Sequence, residues 1–168
     1  MKTTFLNLRT RSILRKKKTD RHSTPFDVAE SIGILYTAED QSKLDAINAF
    51  TASLRSEGKQ VFLLEFQPAK KDIVCSDAPS ISQKQIGFWG TIESGDAKAF
   101  LKQPFDYLFL ADLEPGPLSK HILAATPTRC RVGKHSSGVE EYLDLMVEMN
   151  GPWPLLLETM LLFVRKLS

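Results

Sequence analysis

Seven residues, Phe105 to Ala111 (FDYLFLA), constrain the fold of this chain most. Nearly every position is apolar, so the segment has no face for water, and a strand buried on both sides belongs to a parallel sheet covered by helices. Ser31 to Tyr36 (SIGILY) and Gln60 to Phe66 (QVFLLEF) read as two more strands. Between them Leu44, Ile47, Phe50 and Leu54 recur on one face of a helix from Asp40 to Glu57. Strand, helix and strand in this order make a βαβ unit with a right-handed crossover. Thr37 with Asp40 three residues on predicts a capping box at the helix start, and Gly58 stands where a helix end takes a residue at positive φ.

The remaining elements follow from the same signals. Gln67 to Gln83 has two prolines and no periodicity, which predicts a loop before a short apolar piece, Gln85 to Trp89. Ser94 to Lys102 predicts a helix burying Ala97, Phe100 and Leu101, and Pro117 opens another with Leu118, Ile122 and Ala125 on one face. Thr128 to Gly133 and Tyr142 to Met149 read as strands. The connection from Gly133 to Tyr142 is too short for a helical crossover, so an antiparallel edge is expected there. Trp153 to Leu167 is apolar nearly all round, which predicts burial on two sides, within the domain or against a second subunit in a homodimer. It falls short of the roughly 20 apolar residues of a membrane span and carries Glu158, so no membrane span is expected. The expected fold is a three-layer α/β domain over residues 23–168. Its sheet of five or six strands is mostly parallel, with an antiparallel edge and helices on both faces.

Residues 1–22 are set apart by charge, with eight Lys or Arg against one acid, Asp20. Subtracting these from the 22 basic and 20 acidic residues of the chain leaves 14 and 19, a net −5 on the body. Such a basic helix or arm points to phosphate, and Arg9, Arg11, Arg15, Lys16, Lys17 and Lys18 are the candidate nucleic-acid contacts. Three other readings stand beside it. A secretory signal fits poorly, because Ile13 and Leu14 run straight into Arg15 to Lys18. A mitochondrial presequence fits the acid-free first nineteen residues better. The third is a helix whose apolar side packs on the acidic body with its charges in water.

Cys75 and Cys130 stand far apart with no CxxC or Cys/His spacing, which argues against a zinc site and for a reducing, cytoplasmic setting. Ligands of open parallel sheets bind where strand order reverses, at the carboxyl ends of the strands. The residues expected at that mouth are Thr37, Glu39 and Asp40 on one side and Asp112 and Glu114 on the other. TAEDQ has no glycine, and its acids occupy the positive end of a helix dipole, which argues against NAD, FAD or nucleotide phosphate there. No cofactor is expected. Acids in a first turn also stabilise a helix without any ligand, whereas a cation, sugar hydroxyls or a basic segment would suit an acidic rim. Arg131, Lys134 and His135 are a positive counterpart on the same edge. The candidate ligand residues are thus Thr37, Asp40, Asp112, Glu114, Lys134 and His135. Ser136, Ser137 and Gly138 do not form a nucleophile elbow, and His22, His121 and His135 have no acid at a triad spacing, so no catalytic residue is assigned. Phe88 and Trp89 are core or pocket rim.

FDYLFLAD, the segment LSKHILAAT and TRCRVG together resemble the first half of heptosyltransferase-like GT-B glycosyltransferases over about thirty residues. That resemblance implies a Rossmann-like acceptor half without its nucleotide-sugar domain. Over its whole length, through IGILY, QVFLLEF, FDYLFLAD, RCRVG and YLDLMVE, the chain looks like an uncharacterised family of small bacterial Rossmann-like proteins. The leading expectation is a non-catalytic module that binds a protein partner or small ligand. RNA contact through the arm and a glycosyltransferase-like acceptor half are the alternatives.

Overall fold

The computed structural model describes residues 2–16, 24–68 and 76–167, so Lys17, Lys18, His22 and Cys75 lie outside the described residues. Among those described, β1 (Ser31–Thr37), β2 (Gln60–Gln67), β3 (Ser80–Ser82), β4 (Phe105–Ala111), β5 (Thr128–Lys134) and β6 (Leu145–Val147) form one sheet. Their order is β3-β2-β1-β4-β5-β6, and every neighbouring pair is parallel. β1 and β4 lie side by side at the centre, with Ile34 opposite Leu63 on one flank and Phe109 on the other. Central strands have no solvated face, which is why these two are the most continuously apolar segments of the chain.

Among the described residues five α-helices cover the sheet: α1 (Lys2–Lys16), α2 (Gln41–Ser56), α3 (Gly95–Lys102), α4 (Pro117–Ala125) and α5 (Trp153–Arg165). α2 and α5 pack on one face, where Ile47, Phe50, Leu157 and Met160 meet Ile34, Tyr107, Phe109 and Val132. α1, α3 and α4 pack on the other, where Leu6, Phe100 and Ile122 meet Leu35, Leu64, Leu108 and Leu110. The alternation along β4 sends Tyr107 and Phe109 to the first layer and Leu108 and Leu110 to the second. The α/β fold and its parallel sheet are as expected. Gly58 ends α2 at φ +83°, Pro117 is the first residue of α4, and Ser94 caps α3 by accepting the Ala97 N–H at 3.2 Å.

Four local expectations are corrected. The expected antiparallel edge is parallel, with Val132, Gly133 and Lys134 in register with Leu145, Met146 and Val147. The connection over residues 135–144 crosses the sheet face without a helix, because Val139 and Leu143 bury themselves against the α4 layer and do a helix's work of covering it. Strand β6 is accordingly shorter than Tyr142 to Met149. Within the expected loop Gln67 to Gln83 sits β3, whose side chains, except Ile81, are Ser and so gave no apolar signal. In the short apolar piece Gln85 to Trp89, Ile86 makes an isolated antiparallel bridge to Ile92 before a turn at Phe88 and Trp89. The α2 cap is Asp40 alone, accepting the Lys43 N–H at 2.8 Å, and Thr37 is the last residue of β1.

The basic N-terminal helix α1 lies along α4, with Leu6 and Thr10 buried. Thr10 Oγ donates to the Leu6 carbonyl at 2.8 Å, so its lone pairs are left to accept the Nδ1–H of buried His121 at 2.9 Å. Burial, with the Arg9 guanidinium nearby as a second cause, pushes the His121 imidazole down from 6.5 to about 4. It is neutral in the folded protein and charges in the unfolded chain as pH falls. Stability therefore decreases from about pH 6.5 toward pH 4, by on the order of 2–3 kcal/mol for this group. Urea unfolding at a series of pH values checks this, with the wild type losing more stability across that window than His121→Asn. Parallel pH profiles would show that His121 is not held neutral in the seam.

Candidate functional site

Strand order reverses between β1 and β4, whose following helices depart to opposite faces, α2 with one layer and α4 with the other. The loops separate there and open the crevice in which sheets of this kind bind ligands. Its mouth is closed from within by a side-chain cluster. Asp112, the residue after β4, is 4% exposed, and Lys43, in the first turn of α2, is 1% exposed. Lys43 Nζ lies 2.8 Å from Asp112 Oδ1 and 3.3 Å from Glu39 Oε1. Thr37 donates its backbone N–H to Asp112 Oδ1 and its hydroxyl to Oδ2, each at 2.8 Å, and Ser119 Oγ donates to Oδ2 at 3.5 Å. The ammonium also sits 4.4 Å from the ring centre of Trp153, the first residue of α5.

This cluster has the chemistry of an occupied anion site. A phosphate at this position would need a backbone N–H, a cation and hydroxyls. All three are present, and the Asp112 carboxylate already takes them. Asp40 takes the Lys43 N–H in addition, so the α2 N-terminus offers less still to an incoming anion.

The other expected ligand residues do not join the cluster. Glu114 is exposed and borders a small cavity of about 270 Å³ with Pro115, Lys120, Ser136 and Ser137, between the loops that follow β4 and β5. Ser136 Oγ is buried there without a hydrogen-bond partner. Lys134 Nζ donates to Asn150 at 2.9 Å, and His135 is solvated, 3.7 Å from Glu140. Arg131 is buried and holds the end of α4, donating to the carbonyls of Leu123 at 2.8 Å and Thr126 at 3.1 Å. Of the candidate contacts on the arm, Arg9 donates to the Gly90 carbonyl at 3.2 Å, while Arg11, Arg15 and Lys16 are exposed. His121 is committed to Thr10. Among the described residues, no group of three His, Cys, Asp or Glu side chains is placed to hold a metal.

Sequence reasoning missed Lys43 and Trp153. Lys43 stands at the head of the buried stripe Ile47, Phe50 and Leu54, at spacings of four, three and four, so a lysine on the apolar face of α2 was the available signal. A buried lysine demands a counter-charge, and Asp112 is the buried acid that answers it.

Among the described residues, two apolar surfaces on helices stay open, apart from a groove of about 540 Å³ beside Val61, Phe62 and Phe100. α5 exposes Leu155, Leu162 and Phe163, beside a groove of about 600 Å³ formed with α2 by Ala46, Ala49, Phe50, Leu157 and Leu161. The second surface surrounds Phe5, Leu8, Phe88 and Trp89 on the opposite layer. Among the described residues no helix is long and apolar enough to cross a membrane.

Asp112→Asn leaves the buried Lys43 ammonium with only the half-exposed Glu39 carboxylate at 3.3 Å as counter-charge, a change that costs up to about 3–5 kcal/mol. The double variant Lys43→Met, Asp112→Asn loses less than the single one, because the stranded charge is gone. Urea denaturation of the four chains in this cycle reads the coupling, and a loss below about 1 kcal/mol for Asp112→Asn would show that the pair is not a buried clamp. Comparison with known proteins returns no matching curated protein and no matching solved structure. The model of a family of unknown function, DUF6913, matches residues 2–154, which take in α1, the whole sheet and the Lys43–Asp112 cluster, and the chain belongs to that family.

Proposed function

We propose that the chain is a non-catalytic α/β module that binds a protein partner through its α2–α5 face, and that this partner is a second copy of the chain. The exposed apolar stripe of α5 carries the proposal. Leu155 and Leu162 are 48% and 51% exposed, seven residues apart on one side of the helix, with Phe163 on their flank. A helix buried within one subunit turns such residues inward, as Leu156, Leu157, Met160 and Val164 are turned. The side chains of Leu155, Leu162 and Phe163 are already about half buried, so covering the rest of each is worth roughly 1 kcal/mol, a contribution to association that the adjoining α2–α5 groove adds to.

Charge supports a second copy as the occupant. Glu158 is exposed within the stripe, between Leu155 and Leu162, and Lys166 is exposed just past its end. An antiparallel two-fold pairing of α5 about Leu162 sets Glu158 of each copy opposite Lys166 of the other and buries Leu162 and Phe163 at its centre, with Leu155 at its rim. The setting that belongs to this reading is the cytoplasm, in keeping with the absence of CxxC or Cys/His spacing around Cys75 and Cys130.

Sedimentation equilibrium at tens of micromolar protein tests it. The wild type is expected to sediment as a dimer and Leu162→Glu as a monomer of unchanged helix content. A monomeric wild type, or a Leu162→Glu chain that still dimerises, would remove α5 as the self-association surface.

A further inference from the structure

The basic charge of α1 and the exposed aromatics of a distant turn are parts of one built surface. Phe5 and Leu8, three residues apart, lie on the same side of α1, and Leu8 is 57% exposed. Against them the turn after Ile86 brings Phe88 and Trp89, the latter 64% exposed. The Phe5 and Trp89 rings meet at 5.2 Å and 68°, and the Phe88 and Trp89 rings at 5.1 Å and 89°. The turn is fixed to the helix, since Lys2 donates to the Ile86 carbonyl at 3.0 Å and Arg9 to the Gly90 carbonyl at 3.2 Å. Gly90 has φ +70°, and a Cβ there would stand 3.0 Å from the Leu6 nitrogen. Only glycine lets the turn come this close.

Charge says what such a surface fits. Over Lys2–Lys16 the helix carries Lys2, Arg9, Arg11, Arg15 and Lys16 and no acid. Lys2 and Arg9 tie down the turn, while Arg11, Arg15 and Lys16 are exposed in the following turns. One side of the module thus has an apolar end of Trp, Phe and Leu and a cationic end beside it. That is the composition of segments that rest on anionic bilayers, with aromatics at the boundary of headgroups and acyl chains and cations among the phosphates. We propose that the α1 surface docks on an anionic lipid membrane through Phe5, Leu8, Phe88 and Trp89, with Arg11, Arg15 and Lys16 meeting lipid phosphates. Nucleic acid shares the phosphate chemistry but fits the apolar end less well. Bases stack on open aromatic faces, whereas these rings pack edge to face and Leu8 has no ring to offer.

Flotation of the full chain with vesicles of phosphatidylcholine, alone or mixed with phosphatidylglycerol, tests the proposal. The wild type is expected to float with the mixed vesicles, to stay behind with the neutral ones, and to be released by high salt. Phe88→Ser with Trp89→Ser, and separately Arg15→Glu with Lys16→Glu, should each weaken the partition by about tenfold or more at unchanged far-UV circular dichroism. In the Trp153→Phe chain, brominated acyl chains should quench Trp89 emission. The proposal is overturned if the wild type does not float with anionic vesicles, or if the aromatic variant floats as well as the wild type. It is equally overturned if Trp89 is unquenched on vesicles while mixed-sequence RNA binds the cationic end.

Discussion

The contact on which the architecture turns is the buried Asp112 carboxylate, held by the Lys43 ammonium and by the N–H and hydroxyl of Thr37. These residues belong to the end of β1, the start of α2 and the end of β4, the three elements that meet where strand order reverses. The contact therefore locks the two central strands at the point where a sheet of this order is otherwise open. A buried ion pair seldom adds net stability over apolar packing, but removal of one partner is costly, so it fixes the arrangement of its neighbours. Trp153 beside Lys43 extends the lock to the start of α5.

With the anion position of the crevice filled by Asp112, the two proposed contact surfaces lie on the outside of the helical layers. One layer ends in the apolar stripe of α5, the other in the aromatic and basic surface of α1. The two proposals place self-association on the first of these surfaces and lipid docking on the second. The charge segregation of the chain acquires a structural meaning as well. Of the described charges on α1, Lys2 and Arg9 turn inward to the carbonyls of Ile86 and Gly90, and Arg11, Arg15 and Lys16 face solvent.

The layers and the central strands were legible in the sequence because burial on both faces leaves a continuous apolar run, as in Phe105 to Ala111. The elements that escaped are those whose burial comes from tertiary context. β3 is a serine-flanked isoleucine that pairs only because the edge of β2 is free, and the β5 to β6 connection covers the sheet with Val139 and Leu143 in place of a helix. The structure brings Thr37 and Asp112 of the expected mouth together, and adds to them a buried cation that was not expected. Counting the acids of TAEDQ and FLAD gave an acidic rim, and the lysine that pairs with Asp112 within it lies on the α2 stripe, where its charge was not expected to point inward. The α5 helix shows the same limit. Its apolar residues were evident, whereas the side that stays bare depends on how α2 and β5 take up the other side.

The most direct measurement is a backbone amide NMR titration with ATP and with NAD, followed at Thr37, Lys43, Leu118 and Ser119. The account predicts no saturable shift at these amides, because Asp112 already fills the anion position between them. Saturable shifts confined to this group, with either nucleotide, would contradict it and return the crevice to ligand binding.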